Sequence, residues 1–250
     1  MNIISDKAII GDNFRVGAFT VIKSEVVIGD NVQIGNNVTI YEGSKIGDNV
    51  RIDDNTVIGK QPLRAANSIL KKTGQEIAAV IEDDCLIGTN VVIYANSQID
   101  KEVLVADLAT IRENVSIGEK TIIGRNVSIE NESKIGSLCK LESNSYITAY
   151  SSIEDYAFIA PGVVTSNDNF LGRTEERFKY FKGVIVKKGG RIGANATILP
   201  GKIINQDTLV AAGSIVSKDT PSRKIVMGSP AKVYKNVPEG QLLKNQSKRR

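Results

Sequence analysis

An aliphatic residue recurs every six positions through most of this chain, and that period limits the folds available to it. The run begins at Ile10 and continues through nine such positions to Ile58 without a slip. A period of six matches neither the 3.6-residue turn of a helix nor an ordinary strand ended by a turn. It is typical of a solenoid in which each unit is a short strand followed by a bend. The sequence therefore predicts an all-β solenoid.

The repeat is interrupted twice. It resumes at Ile81 for fourteen positions to Ile159, Thr165 keeps the phase, and six more positions run from Val186 to Val216. With three units per triangular coil, the 29 aliphatic positions predict about ten coils. Stacked as parallel strands, ten coils make a prism about 45–50 Å long. The interruptions, residues 60–80 and about 167–182, are predicted to be excursion loops.

We predict one solenoid domain over residues 1–233 and a C-terminal cap and tail over 234–250. Residues 225–233 are expected to cover the open end of the solenoid, since exposed strand edges promote aggregation. A short helix is expected from Pro238 to Asn245, followed by a basic tail. Residues two before each aliphatic, including Cys85 and Cys139, are predicted to point inward as small core side chains.

Composition excludes several kinds of function. The chain has no histidine, which excludes serine–histidine and cysteine–histidine nucleophilic pairs and histidine-liganded zinc. We expect no metal site. A net charge of +4 over 250 residues is too small and dispersed to predict nucleic-acid binding. No apolar run is long enough for a membrane span, and the N-terminus enters the repeat without a signal region, so we expect a cytoplasmic protein that does not bind membranes.

Three segments carry a family resemblance. They are the run from Ile159 to Asp168 (IAPGVVTSND), the run from Lys187 to Gly201 (KKGGRIGANATILPG) and the run from Gly228 to Val233 (GSPAKV). Together with the six-residue repeat, these segments resemble the hexapeptide-repeat acyltransferases. They are most similar to the branch that N-acetylates amino sugars carried on a nucleotide diphosphate, and the resemblance covers nearly the whole chain.

The resemblance implies a left-handed parallel β-helix, a homotrimer, and acetyl-coenzyme A bound in the groove between two subunits. It also implies an acceptor such as a dTDP-3-amino-3,6-dideoxyhexose or, next, a UDP-linked 3-amino sugar, used for cell-surface polysaccharide or glycan biosynthesis. Many members of the branch have Tyr-Glu-Gly one coil below the Asn-Asp pair. Here Thr148-Ala149-Tyr150 occupies those positions, so the acidic partner of those relatives is missing.

A stripe of small residues is predicted along one edge of the prism. If Leu141, Ile159, Ile192 and Val210 stack, the residues that follow them line that edge, and the upper ones are nearly all Gly or Ala. Such a stripe lets an extended pantetheine arm approach backbone amides, although small residues also suit tight corners. We contrast it with larger triplets such as Asp100-Lys101-Glu102 and Glu130-Asn131-Glu132. The predicted cofactor-binding residues are Ala160, Gly162, Gly193, Ala194, Ala211, Ala212 and Gly213.

Cations near the C-terminal half are candidates for the adenosine phosphates of coenzyme A, since Lys and Arg are the usual partners of phosphate. Ordinary solvated charges are the alternative for each. The candidates are Lys187, Lys188, Arg191, Lys218 and Lys232.

The lack of histidine favours an amine acceptor, because an amine attacks a thioester without an activated hydroxyl. Asp168 is the first candidate to orient the amine or accept its proton, and Asn167 is a candidate to bind the sugar. An Asx turn that opens the loop is the alternative for both. Glu142 is a further catalytic candidate and Asn144 a substrate-binding one. A backbone N–H near Ala160 or Gly162 is a candidate for stabilising the oxyanion.

Both excursions carry candidates for the nucleotide diphosphate. In the second, Arg177 and Tyr180 lie among interleaved basic and aromatic residues that either close over a nucleotide or pack against a neighbouring subunit. In the first, the candidates are Arg64, Lys71 and Lys72. Two other functions remain open at this point: acylation of a different small amine such as an amino-acid intermediate, and a structural solenoid without an active site.

Overall fold

The structure is a computed structural model of the chain, and it describes residues 1–65 and 78–246. Lys71 and Lys72 of the first excursion and residues 247–250 of the predicted tail lie outside the described residues. Nearly every strand is two residues long, as a six-residue unit with a bend requires. The first ten strands are β1 (Ile3–Ile4), β2 (Ile9–Ile10), β3 (Arg15–Val16), β4 (Val21–Ile22), β5 (Val27–Ile28), β6 (Gln33–Ile34), β7 (Thr39–Ile40), β8 (Lys45–Ile46), β9 (Arg51–Ile52) and β10 (Val57–Lys60).

The remaining strands follow the two excursions. Between the excursions lie β11 (Val80–Ile81), β12 (Leu86–Ile87), β13 (Val92–Tyr94), β14 (Gln98–Ile99), β15 (Leu104–Val105), β16 (Thr110–Ile111), β17 (Ser116–Ile117), β18 (Ile122–Ile123), β19 (Ser128–Ile129), β20 (Lys134–Ile135), β21 (Lys140–Leu141), β22 (Tyr146–Ile147), β23 (Ser152–Ile153), β24 (Phe158–Ile159) and β25 (Val164–Thr165). After the second excursion come β26 (Ile185–Val186), β27 (Arg191–Ile192), β28 (Thr197–Ile198), β29 (Ile203–Ile204), β30 (Leu209–Val210), β31 (Ile215–Val216), β32 (Lys224–Gly228) and β33 (Ala231–Asn236).

Every third strand stacks on the same face, and the fold is the predicted left-handed parallel β-helix. We call the faces that begin with β1, β2 and β3 face 1, face 2 and face 3, and we name each edge by the two faces it joins in chain order. In the described residues, face 1 has 11 strands, face 2 has 10 and face 3 has 12. The predicted count of about ten coils is therefore slightly low. It began at Ile10 and ended at Val216, whereas β1 and β32 also pair in register.

The core is a column of aliphatic side chains supplied by two inward positions per unit. Most repeat aliphatics and most residues two before them are buried, as are Cys85 and Cys139, so the predicted inward positions are confirmed. Ala8, Ile10, Phe14 and Val16 near the N-terminal end are partly buried against the same core. Burial raises the pKa of both thiols to about 11, so both remain protonated core groups at neutral pH. Thr165 is 1% exposed and donates its hydroxyl to the Tyr146 carbonyl, which explains why a threonine can occupy an aliphatic position.

Most corners contain a residue with positive φ, which is why Asn, Asp and Gly are frequent there. Asn residues at equivalent corners stack from coil to coil, as between Asn13 Nδ2 and Asn31 Oδ1 at 3.0 Å. Asn tolerates the left-handed region better than most residues, and its amide also bonds to the next coil.

Both excursions leave the solenoid from the same edge, edge 1–2. The first follows β10 and the second follows β25, and both return at face 2. The second contains a 3₁₀ helix at Glu175–Lys179. The coils before and after each loop pair with each other in register. The loops therefore add surface features without disturbing the stack.

The C-terminal end is covered by a hairpin and two short turns. β32 continues face 3, and β33 pairs with it antiparallel, so the predicted domain boundary between residues 233 and 234 lies inside a strand. The expected helix is a pair of 3₁₀ turns, Glu239–Gln241 and Leu243–Asn245. The described residues include no helix long and apolar enough to cross a bilayer.

Candidate functional site

The small-residue stripe exists in the predicted register. Leu141 pairs with Ile159, Ile159 with Ile192, and Ile192 with Val210, which stacks the triplets that follow them along edge 3–1. The upper triplets on this edge are Ala160-Pro161-Gly162, Gly193-Ala194-Asn195 and Ala211-Ala212-Gly213. This edge therefore presents backbone and methyl groups over three successive coils.

Close contact between coils explains part of this composition. A Cβ built on Gly193 would lie 2.6 Å from the Ala212 backbone nitrogen, which real structures do not tolerate. At Gly213, φ is +67° and a Cβ would meet nothing within 4 Å, so the space beside it is open. The tight-corner explanation accounts for Gly193, whereas Ala212 and Gly213 face open space.

The larger triplets were predicted to lie on the same edge as the stripe, and that prediction is wrong because they lie on other edges. Asp100-Lys101-Glu102 follows β14 and lies on edge 2–3, and Glu130-Asn131-Glu132 follows β19 and lies on edge 1–2. The lower coils of edge 3–1 instead carry Ala106-Asp107-Leu108 and Gly124-Arg125-Asn126. These triplets hold a charge or a large side chain at the middle or last position, so the contrast remains on the correct edge.

Glu142 and Asn144 lie directly below the stripe. They occupy the corner after β21, one coil beneath Ala160 and Gly162. The Asn126 amide donates to Asn144 Oδ1 at 2.9 Å, and Asn144 has a φ of +62°. Asn144 is therefore a member of a stacked asparagine pair, and Glu142 is a half-buried carboxylate at the foot of the stripe.

Asp168 is bonded within its own loop. Its carboxylate accepts from the backbone N–H groups of Phe170 at 2.8 Å and Gly172 at 3.0 Å, and it lies 3.2 Å from Arg177 Nη1. Burial acts to raise the pKa of Asp168, but the two backbone donors and Arg177 outweigh it, so the pKa lies below the usual range. A carboxylate in this position is a weak base that is well suited to fixing loop geometry.

Arg177 completes the loop from the other side. Its guanidinium lies 5.1 Å from the Phe178 ring centroid and 5.2 Å from that of Phe181. Tyr180 stacks on Phe170 at 5.9 Å and remains 55% exposed. The second excursion thus uses Arg177 internally and presents exposed aromatic rings outward. Asn167, at the loop start, lies one coil above Ala149 because Tyr146 pairs with Val164.

The predicted phosphate-binding cations are not gathered on the stripe. Lys187 and Lys188 follow β26 and lie on edge 2–3, across face 3 from the small residues. Lys187 Nζ is 2.7 Å from Glu154, and Lys188 Nζ is 3.9 Å from Asp155. Arg191 points out from face 3 and donates to Gln241 at 3.2 Å. Lys218 follows β31 on edge 1–2, and Lys232 lies in the end hairpin.

A charged network on edge 1–2 was not predicted from the sequence. Glu113 is fully buried and accepts from Arg64 Nη1 at 2.6 Å and from Arg112 Nε at 2.9 Å. Arg112 Nη1 is 3.4 Å from Glu130 Oε2, and the guanidinium lies 4.9 Å from the Tyr94 ring centroid. Arg64, predicted to bind diphosphate, is therefore paired with a buried carboxylate. The adjacent charges Arg112-Glu113 were the available signal, but sequence spacing gave no indication that Glu113 is buried.

The pKa values of the two carboxyl groups in this network are shifted in opposite directions. Burial acts to raise the pKa of Glu113, but Arg112 and Arg64 outweigh burial, and the pKa lies below the usual range. For Glu130, burial dominates over the attraction of Arg112, so its pKa is raised. Burial raises the pKa of the Tyr146 phenol as well, and the nearby charge of Glu130 acts in the same direction. Glu113 therefore keeps its negative charge to a lower pH than an ordinary carboxyl group, whereas Glu130 takes up a proton at a higher pH than one.

In the described residues, no group of three His, Cys, Asp or Glu side chains is arranged to hold a metal ion.

Known proteins match short parts of this chain in sequence. The model of the bacterial transferase hexapeptide (six repeats) matches residues 7–41 and 25–60, and the hexapeptide repeat of succinyl-transferase matches residues 78–95. The chain is 45% identical over 53 residues to dTDP-3-amino-3,6-dideoxy-alpha-D-galactopyranose 3-N-acetyltransferase of Aneurinibacillus thermoaerophilus, covering 21% of this chain and 28% of that protein. It is 47% identical over 58 residues to 2,3,4,5-tetrahydropyridine-2,6-dicarboxylate N-acetyltransferase of Staphylococcus aureus (strain JH9), covering 23% and 24%. The matches span about a quarter of these relatives.

Solved structures match nearly the whole chain in fold. The Arabidopsis UDP-N-acetylglucosamine acyltransferase superposes with a TM-score of 0.67 at 16% identity, over 96% of this chain and 74% of that one. The UDP-N-acetylglucosamine acyltransferase from Bacteroides fragilis gives a TM-score of 0.58 at 23% identity, over 93% and 72%. At these identities the likeness describes the fold. Repeat, register and relatives together make the chain similar to the hexapeptide-repeat acyltransferases.

Proposed function

We propose that this protein is an acetyl-coenzyme A-dependent N-acetyltransferase whose acceptor is an amine on a nucleotide-linked sugar. The observation that carries the proposal is the stripe of small residues on edge 3–1, continuous over the coils of Ile159, Ile192 and Val210. A pantetheine arm with its alternating amides fits an edge where backbone groups are accessible. Both sequence relatives described above are N-acetyltransferases by name.

The assembly we propose is a homotrimer with face 1 turned toward the three-fold axis. On the eleven described strands of face 1, the outward position of each strand pair carries no charge, whereas face 2 has Lys45 and Lys134 there. An uncharged face is buried in an interface without the cost of desolvating ions. Tyr146, Val164 and Ile215 on this face are 37–45% exposed in the single chain.

Three-fold packing of face 1 has a geometric consequence for the site. Each subunit's edge 3–1 then lies beside the next subunit's edge 1–2, at the same height along the axis. The thioester end of a cofactor on the stripe would thus approach the Asn167–Asp168 loop of the neighbour. This arrangement supports a site between subunits, with the cofactor stripe from one chain and the acceptor loop from another.

The reaction we propose is direct aminolysis. The unprotonated acceptor nitrogen attacks the thioester carbonyl carbon, the C–S bond breaks, and the thiolate leaves with its electron pair. The nitrogen loses one proton, which the thiolate takes directly or through water, giving the amide and free coenzyme A. No imidazole exists in the chain to act as base, and an amine nucleophile does not require one. Asp168, with its lowered pKa, is suited to holding the loop that orients the acceptor.

One feature favours a nucleotide-linked sugar over an amino-acid intermediate. The second excursion offers exposed rings, including Tyr180, on which a nucleotide base can stack. The similarity to the tetrahydropyridine-dicarboxylate enzyme keeps a small dicarboxylate amine as the second candidate.

Product analysis tests the proposal. The full chain is incubated with acetyl-coenzyme A and, in separate reactions, a dTDP-linked 3-amino sugar, a UDP-linked 3-amino sugar and an amino-dicarboxylate. We expect mass spectrometry to detect transfer of one acetyl group to a nucleotide sugar. Acetylation of the dicarboxylate alone would replace the proposed acceptor class. Absence of any turnover, with no thermal stabilisation by acetyl-coenzyme A, would support a non-catalytic solenoid and contradict the proposal.

A further inference from the structure

Each inner strand of face 1 has one corner before it, on edge 3–1, and one corner after it, on edge 1–2. For β19, the corner before is Gly124-Arg125-Asn126 and the corner after is Glu130-Asn131-Glu132. In the proposed homotrimer, face 1 is turned toward the axis. The corner after a strand then meets the neighbour's corner before the same strand, because three-fold symmetry makes the contact head-to-tail. The sequence of the two corners therefore shows which side chains meet across the subunit boundary.

Charges of opposite sign meet at three levels of this boundary. With the edge 3–1 residue first, the pairs are Asp54 and Lys60 at β10, Asp107 and Arg112 at β16, and Arg125 and Glu132 at β19. The edge 3–1 residue is acidic at the first two levels and basic at the third, and the edge 1–2 residue changes sign with it. Matched charges of this kind guide association and disfavour wrong alignments.

A neighbour displaced by one coil would bring like charges together. Displacement in one direction places Asp107 against the corner that holds Glu130 and Glu132. Displacement in the other direction places Arg125 against Arg112. A head-to-tail contact closes into a ring only when it has no step along the axis, and a step gives an open filament. The order of charges therefore favours the closed trimer over a stepped assembly.

Arg125 and Glu132 form the pair that the single chain leaves most available. Both side chains are exposed. In the part of the chain that the structure describes, no carboxylate forms an ion pair with Arg125, whereas Arg112 is held by Glu113 of its own chain. Glu132 accepts from Asn114 at 2.6 Å through Oε1, which leaves Oε2 for a second donor. A guanidinium group is well suited to supply that donor.

The same alignment applies to the candidate site. The corner before β25 is Ala160-Pro161-Gly162 of the stripe, and the corner after β25 begins the loop of Asn167 and Asp168. Strands β19, β22 and β25 stack, so this meeting point lies two coils, or about 10 Å, above the Arg125 corner. A contact that fixes the neighbours at β19 therefore also fixes the stripe of one subunit against the loop of the next.

We propose that Arg125 of each subunit forms an ion pair with the partner subunit's Glu132, and that this contact holds the stripe and the acceptor loop at the same height. The inference rests on the proposed function, since it takes the proposed homotrimer as the assembly. Arg125 and Glu132 are positioning residues, because neither lies at the stripe or the loop. Three copies of the pair form in each trimer.

Cross-linking tests the proximity of the two residues. The full chain carrying both Arg125→Cys and Glu132→Cys is treated with a short bismaleimide and separated on a denaturing gel. We expect covalent dimers and trimers, because each cross-link joins two subunits. The control combines Glu132→Cys with Lys120→Cys, since Lys120 lies on edge 2–3 away from the boundary, and it should give monomers. Cys85 and Cys139 are 0% exposed, and the wild-type chain reports their background.

Charge reversal tests the contribution of the pair. Arg125→Glu and Glu132→Lys each replace an attraction by a repulsion in three copies, so we expect each to raise the Kd for trimer dissociation at least about tenfold and to lower kcat. The double variant restores opposite charges, and we expect both quantities to return to within about threefold of wild type. Sedimentation of dilute samples and steady-state kinetics measure them.

The outcomes separate this contact from the proposed function. A trimeric chain that gives no more cross-linking than the control, or whose double variant is no better than either single variant, overturns the contact and leaves acetyl transfer in place. A wild-type chain that sediments as a monomer and still acetylates a nucleotide sugar overturns the trimer and the contact together. A cross-linked trimer that acetylates none of the acceptors supports the contact and contradicts the proposed function.

Discussion

The two edges that border face 1 are built from different chemistry. Edge 3–1 presents Ala, Gly and backbone groups in its upper coils, and a Cβ at Gly193 would collide with the coil above. Edge 1–2 carries Tyr94, Arg112 and Glu130 at the first position of successive corners and gives rise to both excursions. The same six-residue unit thus supplies a backbone surface on one edge and a side-chain surface on the other.

The difference shows how a repetitive fold acquires a site. All corners must turn the chain, but the stacking coils leave their outward side chains free to vary. Edge 3–1 has few large side chains in its upper coils, whereas edge 1–2 carries charged and aromatic ones. In a trimer packed on face 1, the two kinds of edge would face each other across the subunit boundary.

The largest effect is expected from removing Arg112, which contacts both Glu113 and Glu130 on edge 1–2. Arg112→Ala leaves the fully buried Glu113 with Arg64 alone and releases Glu130, so the free energy of unfolding should fall by about 3 kcal/mol. Chemical denaturation measures it. Lys120→Ala is the control, because its pair with Glu102 is half exposed at 3.4 Å and is expected to contribute less than about 1 kcal/mol. Equal losses of unfolding free energy in the two variants would contradict the conclusion that Arg112 stabilises this network.

Blocking edge 3–1 should weaken cofactor binding strongly without affecting stability. Ala212→Trp places a ring over the stripe, and we expect acetyl-coenzyme A affinity to fall by about 100-fold through steric exclusion. Ala18→Trp is a matched control, since Ala18 is the exposed middle residue of the same edge in a coil far from the stripe. Calorimetric titration measures both. A similar affinity in the two variants would mean that the cofactor does not lie on this edge.

Loosening the second excursion should lower turnover by a smaller factor. Asp168→Asn keeps an acceptor oxygen for only one of the Phe170 and Gly172 N–H groups, places an amide NH2 against the other, and loses the charge opposite Arg177. We expect kcat to fall on the order of tenfold through misplacement of the loop, with the oligomeric state unchanged. Steady-state kinetics and light scattering test this. Wild-type kcat in the variant would remove Asp168 from the acceptor site.

The smallest effect concerns acid stability of edge 1–2. The pKa of Glu113 is lowered in the folded state, so its contribution to stability is present above the unfolded pKa and is lost as pH falls through the folded pKa. The stability difference between wild type and Glu113→Gln should therefore shrink from about pH 6 to about pH 3. Denaturation midpoints across this range measure it. A difference that stays constant with pH would show that Glu113 does not titrate as the structure indicates.

Much of the fold could be predicted from the six-residue period, because the sequence of each unit shows which of its residues point inward. The register of Leu141, Ile159, Ile192 and Val210 came from counting eighteen residues per coil and removing one loop. The error in coil count arose at the ends, where β1 and β32 pair outside the counted run.

The distribution of charged groups among edges was harder to predict. Counting units gave the stripe, but Lys187 and Lys188 were grouped as phosphate-binding candidates only because they lie in the C-terminal half of the sequence. They lie on edge 2–3, where Glu154 and Asp155 pair with them. A shift of one unit moves a residue to a different edge, so closeness in sequence and closeness in space diverge within six residues.

The sequence by itself determined the solenoid, its core, its corners and the places where loops leave it, because burial of one aliphatic per unit is a local requirement repeated along the chain. The tertiary structure alone decided which polar groups meet. Arg64 and Glu113 are 49 residues apart, and their contact exists because the start of the first excursion lies against the edge of another coil. Such contacts depend on the path of a loop through space, which no six-residue period encodes.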